Sequence, residues 1–378
     1  EHNVKLFTNL IQPNGYNPLV IKGSKFYIEE EAAREQLAVQ VAEEDRQQML
    51  EKLEEPFTPG EIAVFIDNYN LKLQTTVTEF IDLVVDQAES WTEAKFGEGY
   101  WIDHWTYNLD LIENYLAVYP EKLTELLITD KSYTFYDSPA RVVPRSEKYV
   151  LTDSGPRQYQ AVIEDEAKQE LIASRDKYPY YVRTGNGTGD IYYTNLLGKL
   201  LTIVINKASA LDPFGIGIEM EANKPGWYDA LNGLPGIFGS STAETMELKR
   251  LVNFLQDSLE GIDLAEKEQL ALPTELYQFY DGLDQVLADW LAEQDDFRYW
   301  EQATTLREEY RAEVFRGFTG TEQNLALTDL KDFLARLESK LESAIKAAKE
   351  ESTGLFTMYF SHQAVEYERT GEQSPEGQ

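Results

Sequence analysis

The second half of the chain is dominated by helical periodicity. From residue 274 to residue 291, apolar residues recur at spacings of three and four, which places them on one face of a helix. The same pattern runs over residues 242–259 and 328–347. Pro273 and the Ser and Thr residues at 240–242 are typical of helix starts. We therefore predict three long amphipathic helices in this half.

The first half also predicts helices, joined by longer loops. Three are predicted, over residues 29–53, 76–95 and 105–118. A fourth, over residues 195–210, is apolar on nearly every side, which is typical of a helix buried all round. Alternation that indicates strands is weak and is best over residues 142–151 and 178–183.

Amphipathic and fully buried helices, joined by long polar and aromatic loops, together predict an all-α fold. An inner ring of helices within an outer ring accommodates both kinds. The alternative is a solenoid of helix pairs, but a solenoid has a regular repeat and this sequence shows none. Long loops in a compact protein usually carry function.

Composition excludes several functions. The chain has 378 residues, with 34 Lys and Arg against 67 Asp and Glu, a formal charge of −33. Such a field repels nucleic acid and anionic membranes. Without cysteine, disulfides, thiolate chemistry and Cys-based metal sites are excluded. With three histidines, a His-rich metal site is not expected.

Both ends are expected to be cuts through a longer protein. Residue 1 is Glu, no signal sequence opens the chain, and residues 370–378 are polar and typical of a linker or a disordered loop. The most apolar stretch, residues 196–210, contains Lys199 and Lys207 and is too short to span a bilayer. Cytoplasm is the default location.

Aromatic residues cluster beside carboxylates in three loops. These clusters lie at residues 100–105, 133–137 and 225–229, in a chain with 6 Trp, 23 Tyr and 17 Phe. Aromatic rings stack on the apolar faces of sugars and carboxylates bind hydroxyls, so the combination suits a carbohydrate cleft. Each cluster alone is also explained by an ordinary Tyr-rich surface.

The most informative segment is residues 217–236, where Glu219, Glu221 and Asp229 lie in a loop rich in Gly and Pro. Glycoside cleavage requires an acid that protonates the leaving oxygen. Desolvation beside Trp227 would raise the pKa of Asp229, as an acid catalyst needs. The alternative is that Asp229 or Asn232 caps a helix.

Trp227-Tyr228-Asp229-Ala230-Leu231-Asn232 resembles the Trp-Asn-Asp-x-x-Asn signature of the cellobiose phosphorylase type, with Tyr where relatives often have Asn. Residues 99–250 resemble these large inverting glycoside phosphorylases, nearest to the β-1,3-glucan oligosaccharide branch. The resemblance implies an (α/α)6 barrel, of which residues 1–370 would form part, followed by a disordered or truncated tail at 371–378.

The resemblance also implies inverting phosphorolysis. Inorganic phosphate, as co-substrate and without any cofactor or metal, would attack the anomeric carbon of a β-glucan oligosaccharide and release α-glucose 1-phosphate. Asp229 would be the general acid, and Trp227 would line the sugar site. Relatives carry their phosphate pocket in a downstream half, so this fragment alone is expected to lack full activity. The complete protein is expected to be a homodimer.

A phosphorylase needs cations or N–H donors for its phosphate. Arg157 and Arg183 are the candidates, and the backbone of the Gly-rich run at 184–189 offers N–H groups. Without a following Lys-Ser/Thr pair, such a run is more often a flexible turn.

Six further side chains are assigned to substrate: Asp103, His104, Trp105, Glu219, Glu221 and Asn232. His104 would bind a sugar hydroxyl or phosphate, or else pack on Trp105 at a helix start. Glu219 and Glu221 are expected to point apart, so that only one faces the site.

Two alternatives stay open. One is an inverting hydrolase on the same barrel, with Asp229 as acid and Glu219 or Glu221 as base. The other is a helical module that binds carbohydrate without turning it over.

Overall fold

The computed structural model describes residues 2–16, 20–95, 102–221, 237–262 and 269–368. The chain divides into two compact units. The smaller unit is Val20–Lys95, and the larger unit takes the sequence on both sides, Glu1–Leu19 and Phe96–Gln378.

The described chain is mostly helical. The helices are α1 (His2–Asn9), α2 (Glu31–Ala38), α3 (Arg46–Leu53), α4 (Pro59–Asn68), α5 (Val77–Asp86), α6 (Ile102–Val118), α7 (Arg145–Lys148), α8 (Glu166–Ala173), the single turn α9 (Thr184–Gly187), α10 (Leu196–Ala208), α11 (Thr242–Gly261), α12 (Thr274–Glu293), α13 (Asp296–Val314) and α14 (Leu327–Ala347). Short 3-10 or π-helical turns lie at Glu43–Asp45, Pro120–Lys122 and Glu125–Thr129.

The strands are short. They are β1 (Val20–Tyr27), β2 (Glu89–Lys95), β3 (Ala140–Val142), β4 (Tyr149–Thr152), β5 (Gly155–Gln158), β6 (Val162–Glu164), β7 (Ile218–Glu219), β8 (Gly239–Ser241), β9 (Gln269–Pro273), β10 (Glu322–Ala326) and β11 (Tyr359–Ser361). They form antiparallel pairs, apart from one three-stranded sheet in the order β11-β8-β7. The mostly-α class is therefore confirmed, and the (α/α)6 ring stays a prediction.

The smaller unit has its own hydrophobic core. Its buried residues include Met49, Phe57, Ile62 and Phe80, each fully enclosed. Strands β1 and β2 pair along their whole length, with Val20 opposite Lys95. Helices α4 and α5 each begin with a complete capping box, which satisfies their first N–H groups. The prediction of a partial barrel over residues 1–370 does not distinguish this unit, and the barrel itself stays a prediction.

Two helix predictions in the smaller unit were too long. The helix predicted over 29–53 is interrupted near Val41, which forms a β-bridge with Leu73. The helix predicted over 76–95 ends at Asp86, because the residues from Glu89 onward pair with β1. In both places, backbone pairing with a distant segment overrides local helical preference.

The larger unit is built around α10. All of its residues, from Leu196 to Ala208, are buried, as the all-round apolar sequence predicts. The Asn195 side chain accepts a hydrogen bond from the Gly198 N–H and starts the helix. Helices α11 and α12 pack against α10, α14 packs on α11, and α13 packs on α12. The helices predicted at 105–118, 242–259, 274–291 and 328–347 are confirmed as α6, α11, α12 and α14.

Helix α13 was missed because its buried face is not consistently apolar. That face includes Tyr299, Thr304, Arg307 and Tyr310. Polar atoms of these side chains are used inside the fold: the Tyr299 hydroxyl donates to the Ala208 carbonyl at 2.9 Å and the Tyr310 hydroxyl to the Pro13 carbonyl at 2.8 Å. Hydrophobic periodicity cannot detect such a helix.

Both strand predictions need correction. Residues 142–151 do not form one strand, because helix α7 follows Pro144 and separates β3 from β4. Residues 178–183 form no strand; they make isolated bridges between Tyr136 and Tyr181 and between Arg183 and Ile191. No helix in the described ranges is both long and apolar enough to cross a membrane.

We predict that residues 20–95 fold alone, because this unit has its own core and its two ends are paired in one sheet. Circular dichroism of the excised segment should show one cooperative thermal transition. Phe57→Ala should lower its unfolding free energy by about 3–5 kcal/mol, the typical cost of emptying a buried Phe site. A segment that unfolds without cooperativity would contradict the assignment of an independent unit.

Candidate functional site

Two short strands, β7 and β8, pair with each other on either side of residues 222–236, the stretch that contains Asp229. Ile218 pairs with Ser241 and Glu219 with Ser240. The Met220 N–H donates to the Gly239 carbonyl at 2.9 Å. We call residues 218–220 and 239–241 the neck. The described residues on either side of positions 222–236 therefore lie next to each other in one small sheet.

The Asp212 side chain holds the neck in place through hydrogen bonds. This carboxylate is fully buried and accepts a hydrogen bond from the Ser240 hydroxyl at 2.6 Å. It also lies 3.0 Å from the His362 Nε2 atom. Three backbone N–H groups donate to it, those of Phe214, Ile216 and Gly217. Burial would raise the pKa of Asp212, but the hydrogen bonds from His362, Ser240 and the backbone lower it below its ordinary value.

Asp212, Ser240 and His362 are the residue types of a serine hydrolase triad, but not its geometry. In a triad the His bridges Ser and Asp through its two ring nitrogens. Here the same atom, Nε2, lies 3.0 Å from Asp212 and 3.3 Å from the Ser240 hydroxyl. Ser240 is also fully buried. The cluster therefore fastens β8 and β11 to the Asp212 loop.

Glu219 and Glu221 face the same buried group of cations. Glu221 forms ion pairs with Lys148 at 2.7 Å and with Arg311 at 3.3 Å. Glu219 lies 3.6 Å from the Arg307 guanidinium and accepts a hydrogen bond from the Trp300 indole at 2.9 Å. The expectation that the two glutamates point apart was wrong, because alternate residues of an extended strand share a face.

The two carboxylates have different proton affinities. Burial raises the pKa of Glu221, but Lys148 and Arg311 outweigh it and lower the value to about 2. For Glu219, burial prevails over the attraction of Arg307 and Lys148, and its pKa lies above the ordinary value. Burial, followed by the charges of Glu219 and Glu221, also raises the pKa of Tyr149. Of the two glutamates, Glu219 is the better proton acceptor.

Aromatic side chains surround this charged group. The Trp300 ring has the Arg145 guanidinium 5.2 Å from its centroid and the Phe297 ring at 5.3 Å. Phe297 is 62 % exposed. The Phe238 ring meets the Tyr149 ring edge to face, with 5.0 Å between the ring centroids. Phe238 adopts a positive φ of 54°, an uncommon conformation outside glycine. Aromatic faces beside carboxylates are the surroundings that a sugar site requires.

Three of the predicted site residues, Trp227, Asp229 and Asn232, lie outside the described residues. Asp103 and His104 belong to the first turn of α6, but the structure does not describe their side chains. Trp105 is 5 % exposed and belongs to the hydrophobic core, with the Lys207 ammonium 5.8 Å from its ring. Its assignment to substrate is corrected, because a buried ring cannot stack on a sugar in an open cleft.

The two arginines predicted to bind phosphate instead hold local backbone. Arg157 lies on β5 and its guanidinium donates to the Pro156 carbonyl at 2.7 Å. Arg183 donates to the carbonyls of Lys177 at 2.7 Å and Gly189 at 3.3 Å. In the described part of the chain, no ion pair joins either one to Glu219 or Glu221.

The Gly-rich run is a packed turn. Gly185 and Gly187 have positive φ values of 57° and 94°. A Cβ on Gly187 would collide with the Arg316 carbonyl, so glycine is required at this close approach. The Gly185 N–H and Asn186 N–H donate to the carbonyls of Thr319 and Phe318. These N–H groups are therefore already used within the protein.

Sequence patterns did not predict the cations that lie at the neck. They are Lys148, Arg307 and Arg311, with Trp300 beside them. Arg307 and Arg311 are four residues apart on α13, the helix that apolar periodicity did not reveal. The sequence feature that could have indicated these cations is the spacing of the two arginines, because residues at i and i+4 lie on the same face of a helix.

No protein-family model matches the chain, and no curated protein is significantly similar to it. Within the described ranges, no group of three or more His, Asp or Glu side chains is arranged to hold a metal ion.

The two glutamates should affect stability with opposite pH dependence. Because the pKa of Glu221 is lowered to about 2, its stabilising contribution is present above its ordinary pKa of 4.5 and is lost as pH falls toward 2. The difference in unfolding free energy between the wild type and Glu221→Gln should therefore shrink over that pH range. The total loss is about 1.4 kcal/mol for each unit by which folding lowers the pKa of Glu221. Urea titrations at successive pH values measure it.

Glu219→Gln is the matched control on the same strand. Because the folded-state pKa of Glu219 is raised, the native state binds more protons than the unfolded state. The wild type should therefore gain stability over Glu219→Gln as pH falls. Equal slopes for the two variants would contradict the assigned ion pairs.

Proposed function

We propose that this chain is part of an inverting phosphorylase that acts on β-glucan oligosaccharides, releases α-glucose 1-phosphate and uses Asp229 as its general acid. The motif at 227–232 motivates the proposal. The observation that carries it is the neck: the described residues on either side of positions 222–236 lie beside a group of carboxylates, cations and aromatic rings.

In the proposed reaction, a phosphate oxygen attacks the anomeric carbon while the bond to the bridging oxygen breaks. The Asp229 carboxyl transfers its proton to that oxygen, so the shortened oligosaccharide leaves as an alcohol. The glycosyl group ends on phosphate with inverted configuration. No carboxylate base is needed, because the nucleophile is already an anion. Lys148, Arg307 and Arg311 supply positive charge near the neck that favours an anionic reactant.

A hydrolase is the second candidate, favoured by one observation. An inverting hydrolase needs a base that activates water. The raised pKa of Glu219 suits that role, whereas Glu221 is held as a weakly basic carboxylate by Lys148 and Arg311. The hydrolase would therefore use Glu219. A binding module without turnover is the third possibility that the same assay resolves.

We expect Asp229→Asn to lower the phosphorolysis rate by about 10²–10⁴-fold, the usual contribution of a general acid. The assay uses the complete protein to which we expect this chain to belong, with β-1,3- and β-1,4-glucan oligosaccharides, with and without phosphate. The measured products are α-glucose 1-phosphate and glucose. Asp153→Asn makes the same chemical change at an exposed position in the β4–β5 hairpin and should leave the rate unchanged.

Three results would contradict the proposal. Undiminished product from Asp229→Asn removes the assigned acid. Glucose released without phosphate, and lost in Glu219→Gln, establishes the hydrolase. Oligosaccharide binding without either product establishes the binding module.

A further inference from the structure

A cavity of about 480 Å³ opens beside the charged group, within the larger unit. Helix α13 and the residues just after it form one wall, and the stretch from β3 to α7 forms another. Five cationic side chains line it: Arg141, Lys148, Arg307, Arg311 and Arg316. In a chain with 34 basic residues and a net charge of −33, this concentration of positive charge in one cavity is unusual.

Two of these cations keep hydrogen-bonding capacity unused. Arg307 is 1 % exposed; its two terminal nitrogens meet the Ser209 carbonyl and Glu219, but its Nε–H has no hydrogen-bond partner among the described residues. A buried N–H without a partner is uncommon and points to a missing acceptor. The Arg316 side chain forms no hydrogen bond or ion pair with any residue that the structure describes. Each guanidinium has five N–H donors.

The acidic residues that line the cavity do not occupy the free N–H donors of Arg307 and Arg316. Asp165 caps α8 by accepting from the Lys168 N–H at 2.8 Å. Glu308 pairs with Arg145 at 3.2 Å, and Glu147 pairs with Arg141 at 3.4 Å. Glu309 is exposed to solvent. None of these three contacts uses Arg307 or Arg316.

We propose that this cavity binds a small multivalent oxyanion, either inorganic phosphate or the phosphate group of a phosphate monoester. Guanidinium groups match the geometry of phosphate oxygens and bind them through paired N–H donors. Arg141 and Arg316 would approach the anion from the outer side, and Arg307 would supply the buried N–H. A neutral sugar uses none of this charge and should not bind with comparable strength.

Oxyanion binding in this cavity goes beyond the proposed reaction, because it does not depend on which reaction the protein catalyses. It holds equally for a phosphorylase, a hydrolase or a binding module. Binding is measured without oligosaccharide, so failure here leaves the phosphorolysis assay untouched, and failure of phosphorolysis leaves the binding result intact.

Isothermal titration calorimetry of the 378-residue chain tests the site. The probes are inorganic phosphate and glucose 1-phosphate, with glucose as the neutral comparison, at low ionic strength because salt screens such contacts. We expect millimolar or tighter binding of at least one phosphate probe and none of glucose. Tighter binding of glucose 1-phosphate assigns the cavity to a monoester, and tighter binding of phosphate assigns it to the inorganic ion.

Arg316→Ala identifies the cavity as the place of binding. Arg316 has an exposed side chain and no ion pair with a described residue, so its removal should leave the fold intact, which circular dichroism checks. Loss of one charge-assisted contact should weaken phosphate binding by about tenfold. Arg141→Ala should act similarly. Arg298→Ala removes the same charge from the first turn of α13, where Arg298 pairs with Glu293 and Asp289 outside the cavity, and should have little effect.

Two results would overturn the proposal. One is the absence of phosphate and glucose 1-phosphate binding at millimolar concentration. The other is equal weakening by Arg316→Ala and Arg298→Ala, which would mean that phosphate responds only to the total charge of the protein.

Discussion

The partial burial of Glu219 and Glu221 against three cations is the constraint on which the candidate site depends. Carboxylates taken out of water are stable only when paired, and here Lys148, Arg307 and Arg311 pair them. The cations come from α7 and α13, which are far apart in sequence. Fixing the neck therefore requires that both helices be in place, so the geometry of the neck depends on the packing of the larger unit.

The neck is held from two sides. The cations hold its charged side chains, and Asp212 holds its backbone and the Ser240 hydroxyl. The aromatic rings of Trp300 and Phe238 complete the surroundings, so that charge, hydrogen bonding and stacking surfaces meet at one point of the fold.

Sequence patterns predicted the parts of this fold that depend on apolar periodicity. Helices α10, α11, α12 and α14 were found because their buried faces are apolar. Helix α13 was missed because its buried face includes arginine, threonine and tyrosine, whose polar atoms find partners only after folding. Arg157 and Arg183 were selected as phosphate ligands for their neighbours in sequence, whereas the cations near Glu221 are brought there by tertiary packing. The importance of Glu219 and Glu221 was visible in sequence, but their shared direction required the alternation of a strand.

Hydrogen exchange at the Met220 amide tests most directly whether the buried ion pairs fix the neck. This N–H donates to the Gly239 carbonyl and is exchanged only when the neck opens. In Lys148→Met, Met220 should exchange at least about tenfold faster, because Glu221 loses the nearer of its two cations and keeps only Arg311, while α10 amides keep their protection. Lys249→Met, which removes a cation paired with Glu338 elsewhere, should leave Met220 unchanged. Equal exchange at Met220 in the wild type and Lys148→Met would contradict the account.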